Sequence, residues 1–501
     1  MSDICGIVDC NNKLSSREYL VKLSMNYGES LKFTYSKANT YDTFIGISAN
    51  SVNKCIDNII YRGVKYTCMF CGELYNIKEL SEKIKSELGY DAMEVKSFGV
   101  IATWCYILWG GFSPKMLNGK FAYCIYSEGI FKTSPHTPRM FLARDRFGII
   151  PIYYYQPSNS YFMFSTSIKG ILTAKKEKSY IDKKGLWQIF YLDGKSLPGL
   201  THVKDILELN AGFCAYIDCR DSCNIMKKSY LNNKKSTLFD ITPDKLLDES
   251  FGLRGIDINT KKLELSPSMS IHEKIDESVK ATQYPILPYI YQGMERYEKS
   301  KLLYSDIGCE LMCHNNKSVM KGFFPWMRDP YSNIELIDRE RLNFDDGFEF
   351  IDNYRHRISD PQSDSYYFDS IFSLYLPMTI KHIERIAQYK GINIRYPFCD
   401  NEVYSFINTK REINIESKYT PAAFELEYTY PLQNIKESDS QIALCEKLQG
   451  LVKESDSIIG YLCDNNSLLE AINSKSNMKC LALLYATHSF LEEFSLDLYA
   501  L

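Results

Sequence analysis

The stretch Arg139-Met-Phe-Leu-Ala-Arg-Asp-Arg-Phe-Gly-Ile-Ile-Pro-Ile-Tyr-Tyr-Tyr sets the strongest limit on how this chain folds. Two runs rich in aromatic and aliphatic residues flank a short charged centre with a glycine and a proline, which predicts strand, tight turn, strand. Further strand-like runs lie at 44–47, 58–61, 66–70 and 117–126, and another opens at Tyr161. Between them the spacing of Tyr19, Leu20, Leu23 and Met25 predicts a helix over 15–27 capped by Ser15 or Ser16. Cys71-Gly-Glu-Leu-Tyr-Asn-Ile-Lys-Glu-Leu reads as a strand end turning into a helix, and 97–110 as another helix. Many strands and few helices up to Leu172 predict a β-rich first domain with helices packed on its sheets.

At 501 residues, 45% of them apolar and 14% aromatic, the chain can build two or more sizeable cores. A formal charge of −3 gives no electrostatic reason to expect nucleic acid or an anionic membrane as partner. Residues 1–9 include Asp3 and lack a basic segment followed by an apolar core, so no signal peptide is expected. The apolar run 98–112 is too short to span a bilayer and reads as a buried helix. A soluble, cytoplasmic protein is the expectation, and its sixteen cysteines are expected as thiols. Cys68-x-x-Cys71 has metal-like spacing without a second pair, so no zinc site is expected.

In the second half a helix is expected from Asp182, a strand after a tight turn in Leu207-Glu-Leu-Asn-Ala-Gly-Phe-Cys-Ala-Tyr, and a domain boundary in the polar tract 227–235. The stretch 441–498 reads as amphipathic helices, with Ile442, Leu444, Leu448 and Leu451 in one stripe and Leu481, Leu483, Leu484 and Phe490 in another.

Four motifs occur in order: Cys5-Gly-Ile-Val, Cys71-Gly-Glu-Leu-Tyr-Asn, Leu117-Asn-Gly-Lys-Phe-Ala-Tyr and Ala143-Arg-Asp-Arg-Phe-Gly-Ile-Ile-Pro-Ile-Tyr-Tyr. On these the first third resembles the glutaminase domain of the asparagine synthetase family, a type 2 glutamine amidotransferase. The resemblance implies an α+β Ntn-hydrolase-like sandwich, with Cys5 at the position of the catalytic nucleophile. That nucleophile uses its own α-amino group as base, whereas the nitrogen of Cys5 is an amide unless residues 1–4 are removed. Cys71, Gly72 and Glu73 fall at substrate-binding positions. Cys71 stands where the family has its oxyanion-hole asparagine, a donor worth about 3 kcal/mol. The family's His-Arg-Gly-Pro-Asp turn is Asn26-Tyr-Gly-Glu-Ser here. Its carboxylate-binding arginine falls at Ser48 or Ala49, and its Ser-Asp pair is Ser97-Phe98. Cys5 is therefore expected to be inactive.

The same resemblance implies an α/β adenine-nucleotide α-hydrolase-like second domain lacking its pyrophosphate-loop unit, since no Ser-Gly-Gly-x-Asp-Ser-Ser run occurs. Such a loop wraps pyrophosphate with backbone N–H groups at a helix N-terminus, and no side chain elsewhere readily replaces it. Strands at 255–266 and from Lys301, and a helix over Leu376-Pro-Met-Thr-Ile-Lys-His-Ile-Glu-Arg-Ile-Ala, are implied only by this resemblance. Ser305, Asp306, Gly308 and Glu310 fall where the family holds Mg-ATP. Arg395 and Asp400, in Arg395-Tyr-Pro-Phe-Cys-Asp, fall at the substrate loop, where they are expected to orient it as a buried pair. Lys436 lies near an active-site lysine of the family. No cofactor is expected outright; ATP and magnesium follow only if the chain is an enzyme.

The expected organisation is an amidotransferase-like domain over 1–180, a bridge over 181–235 and a truncated synthetase-like domain over 236–501. The leading expectation for function is a degenerate member acting as a binding subunit, with an active homologue or a peptide substrate as partner. Neither nucleic acid nor membrane is expected, and self-association is left open. A first alternative is an ATP-dependent amide synthetase similar to lasso-peptide cyclases or β-lactam synthetases, which have lost the glutaminase. A second is glutamine-dependent asparagine synthesis after removal of residues 1–4.

Overall fold

The computed structural model describes residues 3–10, 18, 21–22, 31–37, 44–50, 56–90, 97–129, 139–175, 177–219, 222–231, 242–255, 270–287, 302–305, 307–313, 334–358, 362–363, 365–410, 439–452 and 458–498. The turn at 26–30, Asp306 and Lys436 lie outside these residues, as do all but Gly255 of the strand expected at 255–266 and most of the helix expected over 15–27. The chain forms two units, one of residues 1–177, 198–200 and 205–234, the other of 178–197, 201–204 and 235–501. The segment expected as a bridge is thus not a separate piece. Its first turns join the second unit, while 205–234 supplies strands to the first, because those residues complete sheets already begun by earlier strands.

The first unit is built from two six-stranded antiparallel sheets. One contains, in spatial order, β11 (Ile206–Glu208), β8 (Tyr153–Ser158), β9 (Tyr161–Ser165), β1 (Ile4–Asp9), β3 (Phe44–Asn50) and β2 (Leu31–Lys37). The other contains β13 (Ile225–Ser229), β12 (Phe213–Asp218), β7 (Arg139–Arg144), β6 (Gly119–Gly129), β5 (Val64–Leu74) and β4 (Ile56–Tyr61). Both β1 and β3 touch β5, so the sheets meet face to face. The outer face of the second sheet carries α1 (Ile77–Leu88) and α2 (Phe98–Trp109), and α3 (Ile168–Ala174) packs on β8 and β9. This is the layered sandwich that the motifs imply.

Alternation along the strands explains the layering, because successive side chains leave a strand on opposite faces. Phe121, Tyr123 and Ile125 of β6, Phe141 and Ala143 of β7, and Cys68 and Phe70 of β5 form one buried cluster with Leu80, Ile84, Val100, Ile101 and Trp104 of the two helices. Cys68 and Cys71, three positions apart on a strand, therefore leave opposite faces, which rules out their sharing one metal ion.

The turn between β7 and β8 is where the chain leaves one sheet for the other, and the segment from β11 to β12 crosses back. Both crossings are tied at Arg144 and Asp145, each buried. Arg144 donates to the carbonyls of Ile150 (2.9 Å), Leu209 (2.6 Å) and Gly148 (2.7 Å), and its Nη1 lies 2.9 Å from Glu208 Oε1. Asp145 accepts from the N–H groups of Phe147 (3.1 Å), Ile149 (3.0 Å) and Ile150 (3.0 Å). Gly148 takes φ +74°, a conformation glycine reaches without strain, and its missing Cβ leaves room for the guanidinium. Breaking a buried ion pair on one side strands a charge and costs about 3–5 kcal/mol, whereas an apolar pair of similar shape is often tolerated. Arg144→Met is expected to lower stability by about that amount in denaturant titration, and Arg144→Met with Glu208→Leu to regain most of it.

The second unit is mostly helical among the described residues. Its hub is α6 (Ile271–Thr282), whose preceding Ser270 forms a capping box with Glu273 and which packs against α8 (Leu376–Tyr389), α10 (Asp439–Val452) and α12 (Met478–Phe494). Asp276 of α6 accepts from Tyr485 (3.1 Å) and Ser489 (2.7 Å) of α12. Leu481, Leu483, Leu484 and Phe490 are buried as the spacing predicts, as are Leu444 and Leu448, but Ile442 is 44% exposed because it lies two positions from Leu444, about 200° round the helix. A second contact joins α4 (Lys183–Tyr191), capped by Asp182, to the start of α7 (Phe344–Ile358). There Trp187 donates to Leu342 O (2.7 Å) and Tyr191 to Phe344 O (2.9 Å). Gly347 is required at this contact, since any Cβ would strike the Trp187 ring. Two short parallel pairs lie in this unit, β10 (Tyr180–Ile181) with β16 (Asp497–Leu498) and β14 (Leu302–Tyr304) with β15 (Asn393–Arg395), and α5 (Pro243–Leu253) packs on α9 (Asn401–Thr409).

His202 and His382 lie buried on either side of Tyr284, with ring centroids 5.2 and 4.8 Å from it. Burial first, then the positive charge of Lys381, holds His382 well below the usual histidine range; burial brings His202 down to about 3. Each is neutral in the folded chain, while the unfolded chain binds a proton near pH 6.5. Stability is therefore complete above about pH 6.5 and falls as pH drops from there toward the folded value, by at most about 1.4 kcal/mol per pH unit for each histidine. Urea midpoints measured from pH 7.5 down to 5 should fall, and the fall should be shallower in His202→Gln.

Candidate functional site

Cys5 lies on a central strand, opposite Ser48 of β3 and Ser165 of β9. Every residue of β1 is buried, and the Cys5 side chain has no exposed surface. The residue before it is part of the same ladder: Ile4 N–H donates to Thr166 Oγ1 (3.1 Å), and Thr166 N–H donates back to Ile4 O (3.0 Å). The Cys5 nitrogen is thus an amide held inside a sheet and has no lone pair to act as base. Burial, then the nearby Asp3 carboxylate, pushes the Cys5 thiol well above its ordinary value. Nucleophilic cysteines are made by the reverse surroundings, cationic and partly open.

The residues at the expected substrate positions have structural roles. Cys71, opposite Ala122 and 2% exposed, offers no amide donor to an oxyanion. Gly72 is dictated by the close approach of β5 to β6: its φ is +124°, and a Cβ would collide with the Lys120 carbonyl. Glu73 lies opposite Lys120 and accepts from Tyr75 OH at 3.4 Å. Phe98 packs its ring 5.8 Å from that of Phe70. The sequence did not single out Asp57, whose Oδ2 accepts from Ser97 Oγ at 2.5 Å and fills the space beside Gly99 at the N-terminus of α2. That carboxylate meets the positive end of the helix dipole, so the chain supplies its own anion there.

A second group lies at the C-terminal edge of β14 and β15, the edge where open α/β sheets bind ligands. Ser305 and Gly308 follow β14, and Arg395 and Asp400 close and follow β15. Ser305 N–H donates to Arg395 O (2.9 Å), Ser305 Oγ accepts from Ile307 N–H (3.2 Å), and Cys399 Sγ approaches Ile307 O at 3.6 Å. Gly308, at φ +101°, lets this turn pass close to Cys399 and Phe398.

The expected Arg395–Asp400 pair does not form. Asp400 instead meets Arg254, with Nη1 to Oδ2 at 2.9 Å, and caps α9 by accepting from Glu402 N–H at 2.8 Å. Arg254 also donates to Ser250 Oγ (2.8 Å) and Cys399 O (3.2 Å), and Ser250 donates to Pro397 O (2.6 Å). Arg395 donates to the Arg254 carbonyl. Arg254 reaches Asp400 because its buried side chain follows α5, which packs on the helix that Asp400 caps, whereas the Arg395 guanidinium is turned to the Arg254 carbonyl. Glu310 is placed in backbone only, and among the described residues no group of three His, Cys, Asp or Glu is arranged to hold a metal.

Residues 53–230 match the family described as Glutamine amidotransferase domain, a stretch that contains Cys71, Gly72, Glu73 and the Arg144–Asp145 turn. An asparagine synthetase [glutamine-hydrolyzing] 3 of Bacillus subtilis is 31% identical over 177 residues, which cover 35% of this chain and 27% of that protein. A relative from Methanocaldococcus jannaschii is 32% identical over 146 residues, 27% of this chain and 25% of its own length. The chain therefore spans about a quarter of the length of the curated relatives it matches, and its first unit carries a glutamine amidotransferase-type domain like theirs. A glutamine phosphoribosylpyrophosphate amidotransferase from B. subtilis covers 60% of each chain at 11% identity with a TM-score of 0.32, too loose a likeness to bear on the site.

The geometry around Cys5 makes a direct prediction. When the native chain is treated with iodoacetamide at pH 8 and mapped by mass spectrometry, Cys5 should stay unlabelled and become labelled only in denaturant. An activated thiolate would be among the first sites modified.

Proposed function

We propose that this chain is a catalytically degenerate relative of the asparagine synthetases, a binding subunit rather than a working ligase. The observation that carries this reading is the state of Cys5: without exposed surface, raised in pKa, and acylated on nitrogen by a residue that is itself hydrogen-bonded into β1. Cys71 supports it by removing the side-chain donor that an oxyanion needs, a loss of about 10²–10³ in rate by itself. Residues that build the amidotransferase scaffold persist around positions that no longer suit glutamine. The partner in this reading is a protein, either an active homologue that supplies the amide-forming chemistry or a peptide that the homologue acts on.

Purified full-length chain supplied with glutamine, aspartate, ATP and magnesium should release neither ammonia nor pyrophosphate above a blank. Release of ammonia, or conversion of ATP to AMP and pyrophosphate, would sink the proposal. A pull-down from the source cells should recover a companion chain carrying Ser-Gly-Gly-x-Asp-Ser.

One observation favours a second reading, an ATP-dependent amide synthetase without glutaminase: Ser305, Gly308, Arg395 and Asp400 gather at the ligand-binding edge of a parallel strand pair. ATP–pyrophosphate exchange in the presence of candidate acids separates the two readings.

A further inference from the structure

The first unit contains a thiol pair that the glutaminase question does not involve. Cys10 follows β1, and Cys223 precedes β13, 213 residues later, yet their Sγ atoms are 3.2 Å apart. Both backbones are pinned to adjacent residues of one turn between β8 and β9. Cys10 N–H donates to Ser160 O at 2.8 Å, and Cys223 N–H donates to Asn159 O at 2.5 Å. Gln156 Nε2 donates to Cys223 O (2.8 Å), and the Cys223 thiol points at Val8 O (3.6 Å). The two cysteines are therefore held together by hydrogen bonds that do not involve sulfur, and a bond between them would require little backbone movement. Cys10 is partly exposed, whereas Cys223 is buried. Cys219, also buried, turns its thiol toward Ile217 O at 3.5 Å.

We infer that Cys10 and Cys223 form a reversible disulfide when the protein meets a hydroperoxide, Cys10 being the sulfur that the oxidant reaches. The Cys10 thiolate attacks one oxygen of the peroxide, the O–O bond breaks, and hydroxide leaves to give Cys10 sulfenic acid. The Cys223 sulfur then attacks Cys10 Sγ and expels the second oxygen, which departs as water once protonated. Two thiols lose two electrons and two protons, and the peroxide is reduced to two waters. The product covalently joins the end of β1 to the loop that leads into β13. A dithiol reductant reverses the step by exchange. The hydrogen bond with Cys10, then burial, holds the Cys223 thiol above its ordinary value, which leaves first attack to the partly exposed Cys10.

The test uses the reduced full-length chain and hydrogen peroxide as probe. After stoichiometric peroxide and blocking with iodoacetamide, a non-reducing peptide map of the unmutated protein should show the Cys10 and Cys223 peptides joined, lighter than their sum by two hydrogens and separated by dithiothreitol. In Cys223→Ser, Cys10 should stop at the sulfenic acid and be trapped by dimedone. In Cys219→Ser the Cys10–Cys223 link should still form. Recovery of both cysteines as separate alkylated thiols after peroxide, or a link from Cys10 to Cys219 instead, would overturn the inference. The map of the unmutated chain decides the matter even if a serine variant folds poorly.

Discussion

The first unit depends on one buried electrostatic knot. Arg144 and Asp145 sit where the chain passes from one sheet to the other, and Arg144 reaches Glu208 where it passes back. Three carbonyls and a carboxylate neutralise the guanidinium, while three consecutive-turn N–H groups hold Asp145. Burial raises Asp145 from the ordinary aspartate value against these N–H donors and Arg144, which pull it down. Charges are costly to bury unless fully paired, so the arrangement tolerates little drift, and that intolerance fixes how the two sheets stack.

The same framework accounts for the state of the amidotransferase-like face. Because β1 is a central strand paired on both sides and covered on both faces, whatever stands at Cys5 is shielded from water. In a working site the strand would begin at the nucleophile and leave its nitrogen as an amine. Here the strand begins a residue earlier and continues into hydrogen bonds with Thr166. Asp57 at the N-terminus of α2 and the Phe98 ring on Phe70 turn neighbouring positions into ordinary helix and core contacts. The packing that stabilises the scaffold is the same packing that shields Cys5.

Much of this was legible in the sequence. The two strands read within 139–155 are present, but the tight turn expected between them is the longer crossing 145–152 that carries the chain from one sheet to the other. The substituted Cys71 and Phe98 could be read from residue identity alone. What escaped was pairing at a distance. Glu208 as the partner of Arg144, and Arg254 rather than Arg395 as the partner of Asp400, depend on tertiary approach across 64 and 146 positions, for which local spacing carries no signal. The strand after a tight turn read in 207–216 is β12, entered through a turn at Asn210-Ala-Gly that Phe213 N–H closes onto Asn210 O, and only the addition of β11 to the other sheet just before it went unread. Lys436 and Asp306 lie outside the described residues.

The central claim is that the glutaminase scaffold persists without a nucleophile that glutamine can reach. A chain trimmed so that Cys5 is its first residue removes the most obvious obstacle and leaves the pocket to answer. Incubation with a diazoketone analogue of glutamine, followed by intact-mass and peptide analysis, measures whether a thiolate at Cys5 meets a bound substrate mimic. The account predicts no adduct on Cys5, since Cys71 and the surrounding core would still reject the ligand. A stoichiometric adduct on Cys5, blocked by excess glutamine, would contradict it.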